Sequence, residues 1–281
     1  MSLVKVEGMH YYINIANYYE VIENEEKTFN DLKHSIHALD NFFSSIEIYA
    51  RSFSEEVVIE KITGSRLHIY IKEDINTSLK IIWRISRYAK SLSLYFKEKI
   101  AKYKSLMEFK LQFGASFGHF YEFEFEKGFI EEMTTIGYAA NFAAKLQSVS
   151  SLDGLSISKN VFEQINNLEI KKQFKEMSNS SLTKYGQNKY YEIIIKPSSN
   201  DFDKPMFTSV TERIMKNNLG DIEFTGVNKL LNYNNISMAN SKRLIGIPIF
   251  ADIRNFTNKF DSLDVNLTEM ALKTSQILNT M

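Results

Sequence analysis

The tripeptide Thr63-Gly64-Ser65 stands between two runs of β-branched and apolar residues, 57–62 and 67–71. A glycine-centred break between two short strands dictates a β-hairpin. A helix-type pattern flanks it on each side, and that leaves few folds open. Upstream, residues 27–49 carry Phe29, Leu32, Ile36, Leu39, Phe42, Phe43 and Ile46 at helical spacing. Downstream, 78–105 reads as a long amphipathic helix containing Trp83, the chain's single tryptophan. An aromatic, β-branched strand at 9–16 precedes the first helix. A strand pair at 108–117 and 120–126 follows the second. The order β-α-β-β-α-β predicts an α+β fold of the ferredoxin-like kind, one strand layer with helices on one face.

Further elements extend this unit. A helix opens at Gly137 within 135–150, a short strand covers 155–158, a short helix 160–168, and a last strand 189–196. Pro197-Ser-Ser-Asn-Asp is a stop. The reading is therefore a domain over 1–197 and a polar, Asn-rich linker over 198–241, with a helix at 210–217. A second unit, 242–281, begins with an apolar strand (242–253) and a helix (267–278).

Composition excludes several classes of function. The 281 residues carry 34 Lys+Arg and 34 Asp+Glu, so no net charge favours nucleic acid or anionic lipid as a general partner. No cysteine is present, which removes disulfides, thiolate metal sites and cysteine nucleophiles and fits a reducing, cytoplasmic setting. No run approaches 18 apolar residues, so no membrane span is expected. Richness in Ile, Asn, Lys and Tyr with 3 Pro reads as the bias of an AT-rich, bacterial genome. His34 and His37 share a helix face without a carboxylate pattern and read as structural. Glu122, Glu124 and Glu126 alternate as a solvated sheet face does.

The two units resemble each other. Tyr12-Ile-Asn-Ile-Ala-Asn-Tyr-Tyr19 lies over Phe250-Ala-Asp-Ile-Arg-Asn-Phe-Thr257, with Asn14 opposite Asp252, Ile15 opposite Ile253 and Asn17 opposite Asn255. The second copy is similar to the first catalytic strand of class III nucleotide cyclases, FxDIxGFT. In that family the Asp holds two Mg²⁺ or Mn²⁺ ions, helped by the next residue's carbonyl, and the following turn wraps the triphosphate. Divalent cations on carboxylates lower the pKa of the attacking 3′ hydroxyl and neutralise phosphate charge. The resemblance implies metal binding at Asp252 and the Ile253 carbonyl, and substrate binding at Phe256 and Thr257. Asn255 replaces the usual glycine, and asparagine tolerates left-handed geometry.

Glu60-Lys-Ile-Thr-Gly-Ser-Arg66 is similar to the family's K-x-x-G-D hairpin, and more so to the K-T-I-G-S of its metal-free half. Ser65 stands where the second metal Asp would be, and Lys61 at the base-reading position. Asn14 and Ser65 are thus degenerate metal positions. Thr134-Thr-Ile-Gly-Tyr-Ala-Ala-Asn-Phe-Ala-Ala-Lys145 resembles D-x-x-G-x-x-V-N-x-A-x-R. This places Thr134 at the base, Asn141 at the ribose and Lys145 at the α-phosphate, where lysine keeps the charge but loses arginine's fork.

The resemblance implies a cyclase turning a nucleoside triphosphate into a 3′,5′-cyclic nucleotide and pyrophosphate. One active site would be shared between a metal-free domain and a second cyclase domain, in cis or from a homodimer mate. Lys61 with Thr134 is neither the usual adenine nor the usual guanine pair, so the base stays open. A pyrimidine product, cyclic CMP or cyclic UMP made as an antiphage signal, is one branch. The second unit, about 38 residues, stops in its first helix, so the sequence reads as a fragment that is inactive or nearly so by itself. The alternative is a non-catalytic module that binds a nucleotide or a catalytic partner.

Overall fold

A computed structural model describes residues 3–29, 32–127, 130–198, 202, 204–216, 223–226 and 240–243. Strand β1 (Leu3–Ile15) is followed by helices α1 (Tyr18–Phe29) and α2 (Lys33–Arg51), and then by the hairpin β2 (Val57–Thr63) and β3 (Arg66–Ile71). Helix α3 (Ile75–Lys99) leads into β4 (Leu111–Lys127), β5 (Ile130–Ile136) and α4 (Tyr138–Val149). The strands β6 (Gly154–Ile157), β7 (Lys175–Ser178) and β8 (Lys189–Ile194) enclose two short helices, α5 (Lys159–Glu163) and α6 (Leu168–Lys171). Helix α7 (Pro205–Lys216) and a parallel pair, β9 (Glu223–Gly226) and β10 (Asn240–Arg243), complete the described elements.

The main sheet runs β2-β3-β1-β4-β6-β8-β7, with β5 paired to β4. Its first four strands are antiparallel neighbours in the order expected of a βαββαβ unit. The α+β class holds, and so does the hairpin: Thr63 pairs Arg66 around Gly64-Ser65, with Gly64 at φ +56°.

Period-2 alternation in β1 decides the two faces. Met9, Tyr11, Ile13 and Ile15 are buried in one large core with Phe42, Phe43 and Ile46 of α2 and Ile82, Ile85 and Leu92 of α3. Tyr11 Oη lies 2.6 Å from Ser86 Oγ of α3. His10, Tyr12 and Asn14 point to the other face. Tyr12 pairs with Gly114, and a Cβ on Gly114 would fall 2.1 Å from the backbone N of Gln147 in α4. Only a glycine lets α4 lie so close to β4. The expectation of helices on one face is therefore corrected: α2 and α3 cover one side and α4 the other.

Four local expectations change. The single helix over 27–49 is two helices. The fully buried Glu25 of α1 accepts from the backbone N of His34 and Ser35, capping α2 from outside its own segment. The strand pair 108–117 and 120–126 is one strand, β4, whose hairpin partner is β5. Gly118 reads as a break but lies mid-strand opposite Gly8. The edge strand β7 was not expected, because its residues are mostly exposed and carry no apolar alternation. Within the stretch read as linker, α7 packs Phe207, Val210 and Ile214 into the core, and Arg213 reaches the Asn41 carbonyl at 3.1 Å.

Candidate functional site

The motif positions gather on the α4 face of the sheet. Ser65, at the hairpin tip, donates from Oγ to Asn14 Oδ1 at 2.8 Å. The two positions that resemble metal carboxylates therefore meet, as a neutral amide and a hydroxyl. Asn14 Nδ2 lies 3.4 Å from Gln112 Oε1, and Gln147 Nε2 reaches the same oxygen at 3.4 Å. A two-cation site needs anionic oxygen ligands, and this set supplies only neutral ones, so it does not fit the metal pair.

The turn after β1, counterpart of the phosphate-wrapping turn, is stitched to its surroundings. Ile15 N donates to Ser65 O at 2.9 Å and Ala16 N to Lys110 O at 2.7 Å. The buried Asn17 donates to Glu108 O and accepts from Lys110 N, both at 2.9 Å. Those N–H groups are spent inside the fold.

The base-reading side is assembled differently. A β-bulge between Ile59 and Lys61 sets both Glu60 and Lys61 opposite His68. Lys61 is exposed. Glu60 turns inward, its side chain 3 % exposed. Its carboxylate accepts from Thr134 Oγ1 at 3.1 Å, Thr135 N at 3.2 Å and Thr135 Oγ1 at 2.7 Å, and stands 2.8 Å from His68 Nδ1. The other ring nitrogen of His68, Nε2, lies 2.9 Å from His10 Nδ1. Tyr12 stacks flat on His68 at 4.0 Å. Burial alone would push the Glu60 carboxyl up. The hydrogen bond and charge of His68, the Thr135 hydroxyl and the His10 ring outweigh it and hold Glu60 at about 2. His10 is pushed well below the usual histidine range by its own burial and by His68.

Thr134 is thus brought to the hairpin, but its partner there is Glu60, the neighbour of Lys61. Asn141 and Lys145 lie one turn apart on α4, both half-buried, with no side-chain partner among the described residues. Gly137 precedes them where a Cβ would press on Phe120 at 2.8 Å. Asp252, Ile253, Phe256 and Thr257 lie outside the described residues. So does the helix at 267–278, and the strand expected at 242–253 overlaps β10 only at its start.

His10, Glu60 and His68 form the one group of His and acidic residues among those described with ligand atoms close enough to consider for a metal. The Glu60 oxygens already accept three hydrogen bonds from Thr134 and Thr135, and the two imidazoles face each other at hydrogen-bond distance, so the cluster reads as a buried polar group already occupied by its own members. No motif in the sequence singles out His10 or His68. The usable signal was the alternation of His10, Tyr12 and Asn14, which puts all three on one face. A separate cleft of about 320 Å³ between α2, α3 and α7, lined by Tyr49, Arg84, Arg87, Tyr88 and Lys204, lies on the opposite face and shares none of the motif positions.

No family model matches the sequence, and no curated protein matches it. Solved structures do. The adenylyl cyclase CyaB from P. aeruginosa superposes with a TM-score of 0.55 at 13 % identity, covering 70 % of this chain and 97 % of that one. The guanylyl cyclase Cya2 gives 0.53 at 8 % identity, covering 72 % and 98 %. A class III adenylyl cyclase-like ATP-binding protein from Pseudomonas aeruginosa gives 0.59 at 18 % identity, covering 85 % of this chain and 50 % of that one. At such identities the likeness is one of fold: the chain has the architecture of class III cyclase catalytic domains. Among the described residues, no helix is long and apolar enough to cross a membrane.

Proposed function

We propose that this chain acts as a class III nucleotide cyclase, one that converts a nucleoside triphosphate to a 3′,5′-cyclic nucleotide and pyrophosphate. The domain over 1–197 is its metal-free half, and 242–281, after the linker 198–241, opens the half that carries the cations. The observation that supports this best is the Asn14–Ser65 hydrogen bond, which joins the two degenerate metal positions as neutral partners. The spent N–H groups around Asn17 agree with it.

In this reading Lys61 and Thr134 face the base, Asn141 orients the ribose, and Lys145 offsets charge on the α-phosphate. Asp252 with the Ile253 carbonyl would hold Mg²⁺ or Mn²⁺, which supply Lewis acidity to the attacking hydroxyl and the phosphates. Phe256 and Thr257 offer backbone N–H groups to the triphosphate. The completing domain comes in cis or from a second copy. Cyclic CMP or cyclic UMP in a bacterial antiphage pathway of the cytoplasm is the finer branch, resting on the unusual Lys61–Thr134 pair.

The test is incubation of the protein together with its completing cyclase domain with ATP, GTP, CTP and UTP, each with Mg²⁺ and with Mn²⁺, followed by chromatography of cyclic products and pyrophosphate detection. A cyclic product that is lost in Asp252→Ala supports the enzyme. No product from any triphosphate overturns it. A second reading, a non-catalytic nucleotide-binding domain, is favoured by the neutral Asn14–Ser65 pair and by likeness to a protein named for ATP binding. It predicts calorimetric binding of a triphosphate without turnover.

A further inference from the structure

The cleft between α2, α3 and α7 is made of two kinds of surface. Its floor is aromatic. Tyr88 and Phe207 are buried, with ring centroids 5.6 Å apart, and the Tyr49 ring lies 4.3 Å from Tyr88. Its rim is cationic. Arg84 and Arg87 are exposed on α3, and Lys204 is exposed just before α7 begins at Pro205. None of the described residues that line the cleft is acidic.

Helical spacing explains the convergence. Arg87, Tyr88 and Ser91 stand three, four and seven positions beyond Arg84, which is one face of α3. Arg84 sits over the Phe53 ring at 5.8 Å, so its guanidinium is steadied before any ligand arrives. Two like charges one turn apart repel. Lys204 adds a third cation at the end of α7 where the helix dipole is already positive. Phe207 N donates to Lys204 O at 2.9 Å, which ties Lys204 to that end. A bound anion offsets the repulsion among the three. The buried Ser91 accepts from Ser198 N at 3.0 Å and still has a hydroxyl proton to give.

The charge count selects the anion. A phosphate monoester carries about −1.5 to −2 at neutral pH, more than a single carboxylate. The planar fork of arginine matches its oxygens two at a time. The floor selects what the phosphate is attached to, because a flat ring packs well against Tyr88, Phe207 and Tyr49. A volume of about 320 Å³ admits one such molecule.

We propose that this cleft binds a small phosphate monoester bearing a planar ring, with the phosphate on Arg84, Arg87 and Lys204 and the ring on Tyr88, Phe207 and Tyr49. Such a ligand bridges α3 and the start of α7, and so fastens α7 to the domain. The cleft lies across the sheet from the motif positions and is independent of the cyclase chemistry. The test is calorimetry on the whole protein with phenyl phosphate, inorganic phosphate and phenol. Phenyl phosphate should bind with a dissociation constant below about 1 mM. Inorganic phosphate, which lacks the ring, should bind at least about 5-fold weaker, and uncharged phenol at least about 10-fold weaker. Arg84→Gln with Arg87→Gln should weaken phenyl phosphate at least about 10-fold with an unchanged circular dichroism spectrum, since both side chains are exposed. Lys204→Gln reads the same cleft from its other wall and should weaken binding about 3-fold. Lys145→Gln, on the motif face, should leave it unchanged. Hydrogen exchange in α7 should slow when phenyl phosphate binds. The proposal is overturned by no binding up to about 10 mM phenyl phosphate, by equal affinity for inorganic phosphate, or by unchanged affinity in the folded arginine double variant or in Lys204→Gln. Loss of binding in Lys145→Gln, or α7 exchange that phenyl phosphate does not slow, overturns it as well.

Discussion

Two clusters on one face of the sheet, a few residues apart along β1 and β3, handle charge in opposite ways. Around Asn14 and Ser65 the positions that resemble metal carboxylates are an amide and a hydroxyl joined at 2.8 Å. Around Glu60 a carboxylate is kept, buried, and surrounded by Thr134, Thr135 and His68. The same strands thus dispense with anions at the hairpin tip and stabilise one at the hairpin base. A buried ion survives only where its acceptor sites are filled. The bulge at Ile59/Lys61 is what turns Glu60 toward those donors. The tip, where Gly64 is exposed, is under no such demand.

The sharpest way to break this contrast is Glu60→Ala. It strips the partner from Thr134, Thr135 and His68, and should lower unfolding free energy by about 3–5 kcal/mol in urea titrations. A loss below about 1 kcal/mol would mean the cluster is not closed as described.

Acid is a second probe. The folded Glu60 pKa is depressed to about 2, so its contribution is present above the ordinary carboxylate range and fades as pH falls through that range toward 2. Its size is on the order of 3 kcal/mol. His10 acts in the same direction. Its folded pKa lies well below the ordinary histidine value of 6.5, so stability starts to fall once pH drops under 6.5, where the unfolded ring takes up a proton first. Thermal melts from pH 8 to pH 3 should show a steady decline, shallower above pH 5 in His10→Phe. A melting temperature independent of pH over that range would contradict the neutral-His10, anionic-Glu60 arrangement.

The tip can be tested by restoring what it lacks. Asn14→Asp with Ser65→Asp puts two like charges where the 2.8 Å hydrogen bond stands, and should cost about 1–2 kcal/mol without metal. Mn²⁺ should recover that loss in the double variant and leave the wild type unchanged, read as melting temperature against metal concentration. The smallest effect belongs to Lys61→Ala. Lys61 is exposed, so its stability change should stay within about 0.5 kcal/mol, with any loss confined to nucleotide affinity.

Much of the scaffold was legible because it rests on local signals. The Gly64-Ser65 turn, the apolar stripes of α2 and α3 and the order of elements predict the βαββαβ unit. The family-like motifs mark Asn14 and Ser65 as degenerate metal positions, and a hydrogen bond joins the two. Other features had no local mark. Gly118 reads as a turn residue, yet its place opposite Gly8 is settled by the long β1–β4 ladder. The break between α1 and α2 depends on Glu25 reaching back to His34 and Ser35. Nor did any local mark show that a one-residue bulge would present Glu60 to Thr134.

From sequence alone came the class of fold and the neutral residues at the positions that resemble metal carboxylates, since residue types and their spacing carry that information. Tertiary structure decided which side chains share a proton. His10 and His68 are 58 positions apart, Glu60 and Thr134 74. Period-2 alternation states the face a strand residue takes, but not which residue of the next strand it meets. That register is set by the bulge, the ladder and the buried ion's demand for donors, which act together only in the folded chain.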